Sequence, residues 1–334
     1  MHIFFFLVYT NIFLLKKIEC IDFHSHIKVA FSGASVTRQK ISYVTELQKI
    51  YPNWDVRVHS YPESRMSRCM AKKVLDEKPD IIFYEWSLHD GSTYNEIREI
   101  IYSTIKINAI PVFLHMPRTD GKNLRVLNFI NQLSNEIGFS VIDLRNEFSQ
   151  KQLREEYLRD HCHPNSIGAK AYAEYIERQI ELNPVLKPKY FELGYNLLEL
   201  NYDEINYTAY KNMSFYFTGK IRDMLIVKGP SSNYINIFEG QRLEKKILLW
   251  DSYCHYEREV KMIFDMNGLN ETLTIQVLNE AVDRSSCRRD LVSWPNSNPF
   301  FKVLDICYEG ELFSITVDGI NHSHKSKNIS IIKA

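Results

Sequence analysis

Between residues 27 and 182, five short apolar runs alternate with longer amphipathic segments. The runs have the length of strands, and the segments between them are long enough to form crossover helices. This alternation favours a parallel sheet that is covered by helices on both faces. The predicted strands are Val29–Phe31, Val56–His59, Ile81–Trp86, Ile110–His115 and Ser140–Leu144. The predicted helices are Ile41–Tyr51, Glu63–Glu77, Tyr94–Asn108, Lys122–Ile137 and Ser166–Ile180.

The pattern changes after residue 210, where eight short apolar or alternating runs are separated by turn residues such as Gly219 and Glu309-Gly310. Regular spacing of this kind predicts an antiparallel β-sandwich. The runs are Phe215–Phe217, Met224–Lys228, Tyr234–Phe238, Lys246–Trp250, Lys261–Asp265, Thr272–Leu278, Phe301–Tyr308 and Phe313–Asp318.

Two prolines, Pro184 and Pro188, mark the end of the first unit because proline breaks a helix and favours an extended link. We therefore expect four segments. They are a hydrophobic extension over residues 1–26, an α/β domain over 27–185, a connector over 186–214 and a smaller β-sandwich domain over 215–334.

The charge of the chain is balanced, with 41 Lys and Arg residues and 41 Asp and Glu residues. This balance argues against a nucleic-acid partner, since contacts with phosphates need a basic excess. The six cysteines are scattered and form no Cys-x-x-Cys pair, which favours mostly reduced thiols. An even number of cysteines leaves a disulfide in an exported form open.

The amino terminus contains an apolar run, Ile3–Leu15, followed by Lys16 and Lys17. A secretory signal has its positive charge before the apolar run and small residues after it, so this order is atypical. The run is also shorter than the roughly 20 residues that span a bilayer. We favour an extension that packs on the domain or makes peripheral contact with a membrane. The favoured location is cytoplasmic or membrane-associated, and export stays open.

Candidate catalytic residues lie in two separate segments of the α/β unit. Ser35 follows the first predicted strand, whereas Asp160 and His163 stand three positions apart before the last predicted helix. Active sites of parallel sheets gather at the carboxyl ends of the strands. There the three side chains would provide a nucleophile, a base and a group that orients the base. Each residue alone has an ordinary structural role, but together they favour acyl transfer through serine.

The order of the motifs resembles that of the SGNH, or GDSL-type, hydrolase superfamily, over residues 27–180. The resemblance implies a flavodoxin-like, three-layer α/β/α domain with a serine nucleophile after the first strand. It also implies action on esters of lipids, acyl groups or glycans. The matching motifs are Gly33-Ala34-Ser35, Trp86-Ser87-Leu88-His89-Asp90 and Asp160-His161-Cys162-His163-Pro164.

The resemblance fails at two positions of the oxyanion hole, the group of donors that would stabilise the developing negative charge. The family has an asparagine donor where this sequence has His89, and a neutral imidazole still carries one N–H. The family also has a glycine donor that should fall within residues 60–66, where no glycine occurs and Arg65 is aligned. We therefore predict an altered hole formed by Ser35, Arg65 and His89.

Trp250, Tyr253, Tyr256 and Arg258 lie close together in the sequence of the second domain. Aromatic rings with polar edges suit stacking on sugars, so we predict substrate-binding roles, although such residues also pack inside sandwiches. By analogy with two-domain family members, we expect an O-acetyl esterase or O-acetyltransferase that acts on a carbohydrate or acylated glycan. We expect no required cofactor. A transferase would need an acyl donor such as acetyl-CoA.

Two other classes of function stay open. The first is a glycan-binding protein whose SGNH domain is weak or inactive. The second is a metal-dependent hydrolase, because His24 and His26 resemble a strand-end His-x-His pair that shares a divalent metal. Such enzymes are built on barrels of eight strands, whereas residues 27–180 predict five. We therefore expect no metal site.

Overall fold

The structure is a computed structural model of the chain. It describes residues 21–61, 66–122, 124–183, 200–210, 212–251, 254, 257–263, 272–287, 299–317, 320–322, 324–325 and 328–329. The apolar run Ile3–Leu15 lies outside these residues. Within them, no helix combines the length and the apolar character that a membrane span requires.

The amino-terminal part forms a five-stranded parallel sheet in the order β2-β1-β3-β4-β5. The strands are β1 (Lys28–Gly33), β2 (Asp55–Ser60), β3 (Ile81–Glu85), β4 (Ile110–His115) and β5 (Ser140–Asp143). The helices are α1 (Ser35–Arg38), α2 (Tyr43–Ile50), α3 (Arg68–Asp76), α4 (Tyr94–Lys106), α5 (Arg125–Ile137), the single turn α6 (Gln150–Gln152) and α7 (Ser166–Leu182). A 3₁₀ turn spans Leu144–Asn146 and a π turn spans Leu153–Tyr157.

The sheet is buried on both faces. Successive residues of a strand point to opposite sides, so Val29 and Phe31 of β1 contribute to one core while Ala30 contributes to the other. Helices α2 and α7 supply residues to the first core, and α3, α4 and α5 supply residues to the second. The expected three-layer α/β/α arrangement is confirmed.

Several helices begin at a polar residue whose side chain accepts a hydrogen bond from the first turn. Ser42, Ser67, Thr93 and Asn165 play this part for α2, α3, α4 and α7. Such caps satisfy backbone N–H groups that have no partner within the helix. They explain why α3 begins at Arg68 rather than at the predicted Glu63, although residues 62–65 lie outside the described residues.

The carboxyl-terminal part forms an antiparallel β-sandwich, as expected. Its longer strands are β6 (Leu200–Tyr210), β7 (Ser214–Lys228), β8 (Tyr234–Glu239), β9 (Arg242–Leu248), β10 (Arg258–Ile263), β11 (Thr272–Val277) and β12 (Phe300–Val317). Three short strands follow, namely β13 (Ile320–His322), β14 (His324–Lys325) and β15 (Asn328–Ile329). Residues 200–210, which the sequence suggested were part of a connector, form β6 and pair with β12.

The predicted turns at Gly219 and Glu309-Gly310 are wrong, because β7 and β12 continue through these positions. Gly219 has a φ of 143°, a conformation that favours glycine, and the pairing of β12 shifts between Glu309 and Ser314. The first part of β7 pairs with β11, and its last part pairs with β10. The two long strands therefore bend and change partners, as strands do at the corners of sandwiches.

The two parts are joined by a buried contact in which α3 packs against β7 and β12. Leu225 and Cys307 of the sandwich belong to the same apolar core as α3. Polar groups add to this contact. The Lys73 Nζ lies 2.6 Å from the Asp305 Oδ2, and the Cys69 N–H donates to the Asp223 Oδ2 over 3.3 Å.

Candidate active site

Ser35 lies at the carboxyl end of β1, where it is the first residue of α1. The turn between the two elements is tight at Gly33. A Cβ atom on Gly33 would lie 2.2 Å from the Thr37 Oγ1 and 2.9 Å from the Glu85 Cβ. Since real Cβ atoms do not approach other atoms so closely, this position needs a residue without a side chain. Because the backbone at Gly33 lies so close to Glu85, the Ser35 turn packs directly against the end of β3.

Asp160 and His163 are carried by a narrow turn between the π turn and α7. Leu158 and Pro164 form an antiparallel bridge across this turn. The first turn of α7 is packed against it, since a Cβ atom on Gly168 would lie 2.2 Å from the backbone oxygen of Tyr157. The turn therefore has a fixed position relative to α7 and the sheet.

The structure brings Ser35, His163 and Asp160 into one hydrogen-bonded chain. The His163 Nε2 lies 2.7 Å from the Ser35 Oγ. The other ring nitrogen, Nδ1, lies 2.8 Å from the Asp160 Oδ2. An ionised carboxylate only accepts hydrogen bonds, so Nδ1 carries the proton and Nε2 accepts from the Ser35 hydroxyl. In this tautomer His163 has the arrangement of a base that is directed at a serine.

The Asp160 carboxylate is held in its ionised form. Partial burial alone would raise its pKa, but hydrogen bonds from the backbone N–H groups of Cys162 and His163 and from the imidazole hold the pKa below its usual range. The two backbone bonds measure 3.0 Å and 2.9 Å, and both end on Oδ1. Asp160 therefore keeps a negative charge beside the imidazole at neutral pH.

The segment after β4 supports the turn that carries Asp160 and His163. The Thr119 N–H donates to the backbone oxygen of His161 over 2.9 Å. Arg118 donates to Asp120, and this contact, more than the partial burial, sets the pKa of Asp120 well below its usual range. Sequence reasoning missed these residues, although charged side chains directly after a predicted strand were a usable signal.

His89 lies in the segment after β3 and is partly exposed. The neighbouring residues hold this segment in place. The Ser87 Oγ donates to the backbone oxygen of Leu114 over 2.7 Å, and the Asp90 Oδ1 accepts from the Val126 N–H at the start of α5 over 3.0 Å. Asp90 thus caps a helix, and His89 lies at the carboxyl edge of the sheet, on the same edge as Ser35.

Glu85, the last residue of β3, is a further charged residue that sequence reasoning missed. It is fully buried, and its Oε2 accepts from the Ala34 N–H over 3.0 Å and from the Thr37 hydroxyl over 2.9 Å. Burial raises the pKa of Glu85 to about 7, although these hydrogen bonds act to lower it. A titratable carboxyl group therefore lies directly behind the Ser35 turn.

The other predicted site residues are not brought to this edge by any described contact. Trp250 and Arg258 are buried in the sandwich, with 6% and 5% of their surfaces exposed. The Arg258 Nη2 lies 2.6 Å from the Asp251 Oδ1, so the guanidinium is engaged in an internal ion pair. As placed, these two side chains offer little surface to a sugar. Arg65, Tyr253 and Tyr256 lie outside the described residues.

His24 and His26 lie before β1, at the opposite end of this strand from Ser35. The His24 Nε2 lies 3.8 Å from a Glu181 carboxylate oxygen, and the His26 Nδ1 lies 2.9 Å from the backbone oxygen of Asn53. Among the described residues, two groups of three ligand-type side chains lie within 4.8 Å of one another, and neither contains these histidines. The groups are Cys69, Asp223 and Cys307, and Asp160, Cys162 and His163.

No protein-family model and no curated protein matches the sequence. Solved structures do match. A two-domain esterase (CEX) active on acetylated mannans superposes with a TM-score of 0.61 and 13% sequence identity, over 85% of this chain and 92% of that one. The chain has this two-domain fold. The five-stranded parallel α/β unit of this chain and its antiparallel sandwich agree with a two-domain fold of this kind, as expected.

Two further solved structures also match. A second structure of the same esterase, co-crystallised with mannopentaose, has a TM-score of 0.60 and 12% identity over 85% of this chain and 91% of that one. The acetylxylan esterase Axe2 from Geobacillus stearothermophilus aligns with 49% of this chain and 99% of its own length, at 18% identity and a TM-score of 0.39.

Proposed function

We propose that this chain is a serine esterase that removes O-acetyl groups from a carbohydrate polymer. The observation that carries the proposal is the hydrogen-bonded chain from Ser35 through His163 to Asp160. A serine hydroxyl is a weak nucleophile on its own and needs an oriented base beside it. The contacts of His163 with Ser35 and Asp160 support this role for His163.

In the proposed reaction, the Ser35 Oγ attacks the carbonyl carbon of the acetyl ester while the His163 Nε2 takes the hydroxyl proton. The resulting tetrahedral intermediate collapses when His163 returns this proton to the oxygen of the departing sugar alcohol. An acetyl group is then bonded to Ser35. Water attacks this ester, His163 takes a proton from the water, and acetate leaves as Ser35 regains its proton.

The developing negative charge on the acetyl oxygen needs hydrogen-bond donors. We assign this role to the Ser35 backbone N–H and to the imidazole of His89. Ser35 begins α1 and His89 follows β3, so the two donors come from neighbouring strands of the sheet. Ser87 and Asp90 hold the segment that carries His89, which supports a fixed position for the donor.

The choice of an acetylated carbohydrate rests on the two-domain esterase CEX, which is active on acetylated mannans and whose fold this chain shares over 85% of its length. The sandwich lies directly against α3 of the α/β part, so a long substrate can touch both parts. An O-acetyltransferase would use the same acetyl-Ser35 intermediate, with a sugar hydroxyl in place of water. The comparison with CEX favours water as the acceptor.

The proposal is tested by the release of acetate from acetylated mannan, compared with release by the Ser35→Ala variant. The Ser25→Ala variant is the matched control, because Ser25 lies before β1 and its described side-chain hydrogen bond is local, to the backbone oxygen of Asp22. We expect release by wild type and by S25A and none by S35A. Equal release by S35A would contradict the serine mechanism. The glycan-binding alternative would be favoured if the protein binds the polymer, releases no acetate, and is not labelled at Ser35 by a fluorophosphonate.

A further inference from the structure

The carboxyl group of Glu85 contacts the backbone before Ser35 and both the backbone and a side chain after it. Its Oε2 accepts a hydrogen bond from the Ala34 N–H, one residue before Ser35, over 3.0 Å. The same oxygen accepts from the Thr37 hydroxyl, two residues after Ser35, over 2.9 Å. The Thr37 backbone N–H also faces the carboxylate. One side chain at the end of β3 therefore ties down both ends of the turn that presents the nucleophile.

The buried position of Glu85 is energetically unfavourable for an ionised carboxyl group. Glu85 is fully buried, and its Oε1 has no hydrogen-bond partner among the described residues. A buried carboxylate that is not paired with a cation loses its hydration, so burial favours the neutral form and raises the pKa to about 7. A glutamine would accept the same hydrogen bonds without this penalty. The presence of an acid at this buried position points to a role beyond packing.

We propose that Glu85 is a positioning residue for Ser35, and that its ionised carboxylate holds the Ala34–Thr37 turn in the geometry from which the serine reacts. The inference rests on the proposed function of Ser35 as the nucleophile. Hydrogen bonds to a charged acceptor are shorter and stronger than those to a neutral one. Protonation of Glu85 therefore loosens the turn, and the reactivity of Ser35 falls with it.

The groups around Glu85 do not titrate in the same pH range. Tyr43 of α2 contacts the Thr37 hydroxyl over 2.9 Å, and its pKa is raised well above the ordinary value by burial and by the charge of Glu85. Cys162, beside His163, has a pKa raised to about 12, first by burial and then by Asp160, with a smaller contribution from Glu85. Both groups stay neutral near pH 7. Neither group therefore explains a change in rate near pH 7 that is lost when Glu85 is replaced.

The test compares wild type with Glu85→Gln, Glu85→Leu and Glu96→Gln. The glutamine keeps an acceptor oxygen but cannot titrate, whereas the leucine removes the acceptor. Glu96 is the matched control, because it is a buried glutamate of the same domain that caps α4 and pairs with Arg68, and none of its described contacts involves the Ser35 turn. For each variant, kcat and KM on p-nitrophenyl acetate are measured from about pH 5 to about pH 9. The rate at which a fluorophosphonate labels Ser35 is measured over the same range.

We expect the acid limb of kcat/KM to reflect one proton fewer in E85Q than in wild type and in E96Q. At pH 8 we expect kcat of E85Q to fall about tenfold with KM changed less than twofold, and kcat of E85L to fall by about a hundredfold. Fluorophosphonate labelling should fall in the same order. The difference in kcat between E85Q and E85L measures the contribution of the hydrogen-bond acceptor. The difference between wild type and E85Q measures the contribution of the charge.

An E85Q variant whose acid limb and kcat match those of wild type would overturn the positioning role while leaving the esterase proposal intact. A faster E85Q variant would also overturn it, because the carboxylate would then act chiefly by opposing the negative oxyanion. If wild type is not labelled at Ser35 and S35A hydrolyses the ester equally well, the esterase proposal fails, and the role of Glu85 fails with it. Failure of the Glu85 proposal and failure of the esterase proposal are therefore distinguished by whether the wild type is labelled at Ser35.

Discussion

The His163 Nε2 lies 2.7 Å from the Ser35 Oγ, although 128 positions separate the two residues in the chain. The parallel sheet explains this proximity. Ser35 follows β1 at the carboxyl edge, and the turn that carries His163 is packed against α7 and the segment after β4 at the same edge. Because the same turn also places Asp160 against the second ring nitrogen, two short segments suffice to assemble the proposed site.

Replacing Asp160 with asparagine should remove most of the activity. The amide cannot hold the imidazole in the tautomer that directs Nε2 at Ser35, and comparable changes in serine proteases lower kcat by about 10⁴. We expect a loss of about that size in kcat on p-nitrophenyl acetate. The control is Asp55→Asn, at the start of β2, which should leave kcat unchanged. A D160N variant with more than about a tenth of the wild-type kcat would show that Asp160 does not orient the base.

The two substitutions His89→Ala and His89→Asn should differ. Loss of one oxyanion donor costs about 2.7–4 kcal/mol of barrier, so H89A should lose about two to three orders of magnitude in kcat. Asparagine restores an N–H donor, and H89N should keep much more of the activity. The comparison is made with p-nitrophenyl acetate at the same pH for all three proteins. Equal damage from both substitutions would remove His89 from the hole.

The stability of the protein should depend on pH through Glu85. The pKa of Glu85 rises from 4.5 to about 7 on folding, so the folded state holds this proton more tightly than the unfolded state does. The corresponding stabilisation is fully present below about pH 4.5 and is lost as the pH rises through about 7. Relative to E85Q, wild type should lose about 3 kcal/mol of unfolding free energy over this range. Urea unfolding of both proteins at several pH values measures the difference, and curves that stay parallel would contradict the shift.

The contact between the two parts should depend on the pair formed by Lys73 and Asp305. Asp305 is buried, and the Lys73 Nζ lies 2.6 Å from its Oδ2. Lys73→Met deprives a buried carboxylate of its lysine, and the breaking of buried pairs costs about 3–5 kcal/mol. We therefore expect a lower thermal midpoint for K73M, with recovery when Asp305→Leu is added.

The control for this pair is Lys151→Met, since Lys151 is exposed and its pairing with Glu155 is at the surface. Exposed pairs contribute about 0–1 kcal/mol, so K151M should change the thermal midpoint little. If K73M also unfolds like wild type, the pair does not stabilise the contact between the two parts.

The sequence alone predicts the α/β part well. The predicted run Ile110–His115 coincides with β4, and the predicted helix Tyr94–Asn108 differs from α4 only at its end. Strands that are buried on both faces have continuous apolar sequences, whereas the helices between them are amphipathic and begin at capping residues. The strand pattern and the helix pattern can therefore be told apart. The candidate triad is also visible because its residues follow the ends of such elements.

The sandwich is harder to predict because a glycine can mark either a turn or a bend. Phe215–Phe217 and Met224–Lys228, predicted as two strands, are the two ends of β7, with Gly219 between them. Their continuity is decided by pairing with β12, which is distant in the sequence. The local sequence pattern does not indicate which distant strand will pair with a given segment.

Burial of charged residues is the second feature that local patterns do not reveal. Glu85 ends an apolar run and could equally have pointed into solvent, but the close approach of the Gly33 turn encloses it. Arg258 suits a binding surface by its chemistry, yet it is turned inward against Asp251. Both outcomes depend on the packing of elements that are far apart in the chain.

The central claim is that Ser35 forms an acyl-enzyme, and intact mass spectrometry after a brief incubation with p-nitrophenyl acetate tests it most directly. The account predicts a transient gain of one acetyl group on the wild type, located on Ser35 by peptide mapping, and no gain on the Ser35→Ala variant. Nitrophenol release should follow the same pattern. A gain of equal size on S35A, or steady release of nitrophenol without any dependence on Ser35, would contradict the account.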